Sequence, residues 1–202
     1  DMVYAMRMDL AYSSHQWMRR EFARDLLFVW DEGTWQLQCS LGQDYWQLIR
    51  MQIQGHATLG RQYPDYKYGV EGDTPSFLNV IPNGLHNPEE PMQVGWGGYH
   101  IWTMTKDSTT CAWTSWQEPV KSISETYYRQ FYPSQLNDFI ARSEWAEKGQ
   151  GNRNPVAVVN GENGIDAIVI MAKAGQTISL DASASFDPDG DGLTFKWWQQ
   201  DG

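Results

Sequence analysis

The segment GQGNRNP, residues 149–155, divides this chain into two rhythms that a single layer of structure cannot share. Upstream of it, apolar residues recur at helical spacing between short continuous apolar runs. Downstream, short β-rich stretches follow one another at roughly 8–12-residue intervals, separated by Gly, Asn and Asp turns. Gly, Asn and Pro crowded into a few positions favour an exposed connection. The spacing therefore predicts an α/β domain over 1–148, a linker over 149–154 and part of a β-sandwich over 155–202.

The first rhythm reads as strand and helix in alternation. Met2 to Met6 is strand-like from the outset, so the chain reads as starting inside an element, with no signal peptide ahead of it. Residues 13–24 fit a short helix with Ser14 as N-cap and Trp17, Met18 and Phe22 on one side. Leu26 to Trp30 is unbroken apolar sequence, the pattern of a strand buried on both faces, and Asp31-Glu32-Gly33 ends it. Asp44 to Gln54 is helical by period, with Tyr45, Leu48, Ile49 and Ile53 on one stripe. Lys67 to Val70 is extended, Thr74 and Pro75 suit a helix start, and Pro82-Asn83-Gly84 closes that helix. Residues 85–120, rich in Gly, Pro and Trp, read as a long ordered loop of the kind that often carries function. Ser134 starts a last helix, with Leu136, Phe139 and Ile140 inward and Gly149 as its stop.

In the second rhythm, Val156 to Val159, Ile168 to Ile170 and Thr177 to Leu180 are predicted strands, the opening half of a sandwich. The sequence stops at Phe195-Lys196-Trp197-Trp198 and a few further residues, again in a strand-like run.

A net charge of −10 and a pI near 4.7 argue against nucleic acid or an anionic membrane as the main partner. No apolar run approaches the roughly 20 residues of a membrane span. The 11 Trp, 10 Tyr and 7 Phe supply either a well-filled core or flat faces for a sugar or base. Cys39 and Cys111 leave one bridge and two thiols equally open. His15, His56, His86 and His100 have no metal-ligand spacing, and neither a nucleophile elbow nor a phosphate loop is present.

Three places could carry chemistry. Glu71 and Asp73 fall between the extended stretch and the helix beginning at Thr74, where open α/β sheets form ligand crevices; a carboxylate there can equally cap the helix. DPDGDG, residues 187–192, places Asp187, Asp189 and Asp191 in the spacing of a calcium loop's first half. The twelfth position of that loop is Trp198 rather than an acid, so no EF-hand is present, and a plain Asp/Gly turn competes with a calcium-binding one. Trp96 stands between glycines in VGWGGY, where its ring could stack on a sugar or plug the core beneath the loop.

The run GHATLGRQYPDYKYGVEGDTPSFLNVIPNGL, followed by VGWGGYH, resembles secreted cellulose-binding proteins with a nucleoside-hydrolase-like domain. WMRREFARDLLFVW resembles the helix-strand step before it in that family, and NPVAVVNG with ISLDASASFDPDGDGLTFKWWQ resembles the family's C-terminal immunoglobulin/PKD-like domain. The resemblance implies a Rossmann-like, nucleoside-hydrolase-type sheet, a secreted protein and a carbohydrate or nucleoside-like ligand. It also implies a calcium ion held by aspartates, with Asp73 matching the late member of that cluster. Gly72 stands where many nucleoside hydrolases carry a histidine, so no leaving-group acid is supplied there, and Asp9 is a weak match to the family's acidic step. The functions to separate are a calcium-dependent glycoside or N-glycoside hydrolase, a polysaccharide-binding protein with an idle site, and a structural component. Oligomeric state is left open.

Overall fold

A computed structural model of the chain describes residues 2–5, 12–22, 25–31, 34–65, 74–106, 108 and 110–199. The framework is a four-stranded sheet in the order β1-β2-β4-β3, made of β1 (Met2–Ala5), β2 (Leu27–Trp30), β3 (Ile101–Met104) and β4 (Cys111–Thr114). β1, β2 and β4 run parallel, with Val3 beside Phe28 and Trp30 beside Thr114; β3 returns antiparallel, pairing Trp102 with Trp113. A parallel pair needs a crossover, and α1 (Tyr12–Glu21) supplies the one between β1 and β2. The Arg19 guanidinium on α1 lies 5.2 Å from the Phe28 ring centre and 5.3 Å from that of Trp102. Its Nε donates to Thr110 at 3.0 Å, so the crossover is fastened to the sheet by cation–π contact and a hydrogen bond.

Phe28, Val29 and Trp30 are all buried, as an unbroken apolar strand requires. The larger core lies among α2 (Thr34–Asp44), α3 (Trp46–Gln52) and α6 (Val120–Lys148), where Leu37, Leu41, Ile49, Ile53, Tyr132 and Leu136 pack together. The Tyr128 hydroxyl donates to Gln38 inside that core. α4 (Ala57–Gly60) and α5 (Thr74–Val80) complete the helices.

Two sequence expectations change here. Residues 85–120 hold β3 and β4 rather than a continuous loop. The last helix begins at Val120, not Ser134, and continues through Pro133. Buried residues on both sides of the proline, Tyr128 and Phe131 before it and Leu136 and Ser143 after it, hold the helix across it, and the missing N–H alone does not break it. Gly149 ends α6 in a left-handed conformation, with φ of 64°. Gly98 allows the preceding loop to lie on α6: a Cβ there would stand 2.2 Å from the Ser124 hydroxyl oxygen.

After α6 the regular structure among the described residues is one short hairpin, β5 (Val158–Val159) with β6 (Glu162–Asn163). Asn160 and Gly161, both at positive φ, make its turn. The strands expected over Ile168–Ile170 and Thr177–Leu180 do not form ladders, because no described segment pairs with them. Their apolar side chains stand open, Val169 at 81% exposure. Phe186, expected inside a sandwich core, is 50% exposed and is tied to Val156 through its backbone. Trp198 turns toward α6, its ring 6.2 Å from that of Phe131. Cys39 and Cys111 are both unbridged.

Candidate functional site

The carboxyl ends of β2 and β4 lie side by side, and the first residues beyond them are Asp31 and Ser115. Parallel strand ends and the helices that follow them leave a crevice, the usual ligand position in open α/β sheets. A cavity of about 510 Å³ occupies it. Its floor is polar and buried: Asp31 is 1% exposed, Ser124 2% and Ser115 7%.

Asp31 is fixed from two directions. Thr34, in the first turn of α2, donates its backbone N–H to Oδ1 at 3.3 Å and its hydroxyl to Oδ2. Ser115 donates its hydroxyl to Oδ1 at 3.5 Å from the neighbouring strand end. The first pair caps α2 and the second ties β2 to β4, so the carboxylate is held still at the base of the crevice. A carboxylate is an acceptor for ligand hydroxyls.

The walls come from α2, α6 and the segment after β4. Trp116 lines the cavity, half-buried, and its Nε1 donates to the Met104 carbonyl at 3.0 Å. With its one polar atom engaged, the indole offers an apolar face. Lys121, Glu125 and Arg129 stand at four-residue intervals on α6 and so share one face, which lines the crevice; Lys106 joins them from the turn between β3 and β4.

Immediately before β3, His100 is buried, and burial pushes its imidazole down to about 4. The Asp31 charge pulls in the opposite direction, while neighbouring His86 reinforces the drop. His86 is itself lowered by burial, against a 2.8 Å contact between its Nε2 and the Asn79 carbonyl.

Of the residues singled out from sequence, the described ones, Trp96, Asp187, Asp189 and Asp191, do not line this crevice. Glu71 and Asp73, like Asp9 and Gly72, lie outside the described residues. Trp96 packs edge-on against Phe131, with ring centres 4.7 Å apart, and its Nε1 donates to the Asn83 carbonyl at 3.2 Å. The ring thus packs on α6 while remaining half-buried. In the DPDGDG turn, Asp187 Oδ1 accepts the backbone N–H of Asp189 at 2.8 Å and of Asp191 at 3.3 Å. Asp189 takes the backbone N–H of Arg153 at 2.5 Å and its guanidinium at 3.5 Å. Backbone donors and one arginine thus meet the carboxylates of Asp187 and Asp189 in this turn. Among the described residues no three His, Cys, Asp or Glu side chains stand together as a metal site.

Local sequence pattern does not single out Asp31, Ser115 or Trp116 as site residues. Asp31 was legible in principle, as an acid directly after a buried strand; Ser115 and Trp116 needed β4 to be recognised inside the presumed loop.

Residues 2–100 match the family described as "Cellulose-binding Sde182, nucleoside hydrolase-like domain", and residues 177–201 match "Cellulose-binding protein Sde0182, C-terminal domain". This chain is similar to that cellulose-binding family over both segments. It is also similar to a solved structure described as a nucleoside hydrolase-related hypothetical protein from Saccharophagus degradans that is associated with carbohydrate metabolism. Identity is 27%, with 92% of this chain and 51% of that one covered and a TM-score of 0.62. The chain thus spans about half the length of that nucleoside hydrolase-related protein. The likeness is to its fold of mixed helix and strand. A search of the curated proteins found no match. Asp31 and Thr34 fall within the segment that matches the nucleoside hydrolase-like domain, while Ser115 and Trp116 lie between the two matched segments.

Proposed function

We propose that this protein is a carbohydrate-associated, nucleoside hydrolase-like protein that acts outside the cell and holds a sugar ring in the crevice at the ends of β2 and β4. The observation that carries the reading is the convergence of Asp31, Ser115 and Trp116 on one cavity. A sugar offers hydroxyls around its edge and C–H groups on its faces. A fixed carboxylate meets the first need and an indole face the second. The similarity to a cellulose-binding family supports cellulose or a related polysaccharide as the source of that ring.

Hydrolysis of a glycosyl bond is the catalytic form of this reading, and binding with an idle site is its rival. The calcium ion of the catalytic form is assigned to Asp73 by the family resemblance alone. The described residues do not by themselves make a calcium site, and Asp73 lies outside them. The immunoglobulin/PKD-like sandwich over 155–202 is likewise carried by resemblance, with the match over 177–201 as its support.

The test is a titration with cello-oligosaccharides followed by tryptophan fluorescence, together with retention on insoluble cellulose. Saturable binding that Trp116→Ala and Asp31→Asn each weaken supports the site. Binding unaffected by both variants places the sugar elsewhere and removes the proposal. Release of reducing sugar in the same samples selects the hydrolase over the idle site.

A further inference from the structure

The crevice gathers cations in an acidic chain. The protein carries 25 acidic residues against 15 Lys and Arg, yet three of those cations, Lys106, Lys121 and Arg129, line this one cavity. Two acids line it as well, and both are engaged. Asp31 is held by Thr34 and Ser115, and Glu125 lies 3.9 Å from Lys121. Among the described residues Lys106 and Arg129 have no ion-pair partner. Both are exposed at the mouth, whereas Asp31 lies at the floor. The cavity therefore runs from an acceptor floor to a cationic rim, with Trp116 on its wall.

We propose that this crevice selects a hydroxylated ring carrying an anionic group, with the hydroxyls directed to the floor and the anion to Lys106 and Arg129. This deepens the sugar-binding reading above and rests on it. A neutral sugar would use the floor and the indole but leave the rim unused. A carboxylate or phosphate on the ring would gain charge-assisted hydrogen bonds there, and a guanidinium can hold either group through two parallel donors. The volume of about 510 Å³ accommodates one or two rings. A uronic acid unit within a polysaccharide and a sugar phosphate are the two sources of this chemistry.

The experiment measures binding of glucose, glucuronate and glucose 6-phosphate to the whole chain at low salt, by nuclear magnetic resonance titration and calorimetry. The same measurements are made on the K106Q/R129Q double variant. Both positions are exposed, and circular dichroism checks that the variant keeps its fold. At least one anionic sugar is expected to bind the unmodified protein about tenfold or more tightly than glucose, a margin of about 1.4 kcal/mol. The margin should shrink as salt is raised and vanish in the double variant. Glucuronate alone showing it assigns the uronate source, and glucose 6-phosphate alone assigns the phosphate. Equal affinity for all three sugars, or a preference that survives the double substitution, overturns the anionic selectivity and leaves the sugar site standing. Failure of all three, and of cello-oligosaccharides, to perturb Trp116 overturns the sugar site itself, and this inference with it.

Discussion

Ser115, at the end of β4, donates its hydroxyl to the carboxylate of Asp31, at the end of β2, across 3.5 Å in space and 84 residues in sequence. With Thr34 on the same carboxylate, a helix start and two strand ends share one acceptor. Removing the acceptor outright leaves buried donors without partners, which costs about 1–3 kcal/mol. Asp31→Ala should therefore lower the unfolding free energy by about that much in a urea titration. Asp31→Asn keeps an oxygen for the Thr34 N–H and should cost about 1 kcal/mol. The pair of variants separates the carboxylate's structural share from its share in binding.

Trp96→Ala should act on stability first. The ring is half-buried on Phe131, and truncation of a packed indole costs roughly 3–5 kcal/mol in a full core, less at a partly open position. A loss of about 2 kcal/mol with unchanged cellulose retention is the expected result. Intact stability with weakened retention would instead restore the sugar-stacking role read from VGWGGY.

How legible that role was shows where the sequence stopped informing. β2 was readable because Phe28, Val29 and Trp30 are apolar on both faces of a buried strand. β4 was not. Cys111-Ala112-Trp113-Thr114 is four residues long and becomes a strand by lying between β2 and β3, which no local pattern announces. Losing β4 meant losing Ser115 and Trp116, and with them half of the crevice. The start of α6 was hidden for a different reason: Ser134 reads locally as a helix start, and packing of Tyr128, Phe131 and Leu136 on both sides of Pro133 overrides it. Beyond Pro155 the sequence is β-rich in composition, but a strand is made by its neighbour, and among the described residues there only Val158–Val159 and Glu162–Asn163 have one in a ladder.

Acid should destabilise the α/β part before its carboxylates titrate fully. His100 is held neutral, at about 4 against an ordinary value of 6.5, and His86 is lowered as well. Above pH 6.5 neither folded nor unfolded imidazole is charged, and the folded state bears no penalty from it. As the pH falls from 6.5 toward 4, the unfolded chain takes up protons that the folded one refuses, so stability declines over that window. The decline for one such group approaches about 1.4 kcal/mol per pH unit. Urea midpoints measured from pH 7 to pH 4 check this, and His100→Gln should flatten the curve. A curve flat in both proteins would mean that His100 takes up its proton at the same pH in the folded and the unfolded chain.

Calcium should separate the two acidic features. The Asp187 turn is held by N–H groups, so chelator should leave the melting temperature within about 1 °C. Asp187→Ala, which removes the acceptor for both, should cost about 1–2 kcal/mol with or without calcium. Any calcium uptake seen by calorimetry should then respond to Asp73→Asn and not to Asp187→Asn. The reverse pattern would move the metal from the nucleoside hydrolase-like part to the turn.

Phe131 touches Trp96 at 4.7 Å and Trp198 at 6.2 Å, one indole from the Gly-rich loop and one from the far end of the chain. Lys196 sits 5.9 Å from the second of these rings. The two fluorophores therefore have a common neighbour but unlike surroundings, which gives the protein a built-in optical gauge. Should the terminal segment lift away from α6, Trp198 would gain water and its emission would move to the red, while Trp96 stayed dark to the event. A protein in which only the indole at 198 is varied would read that separation directly, in real time and without a label.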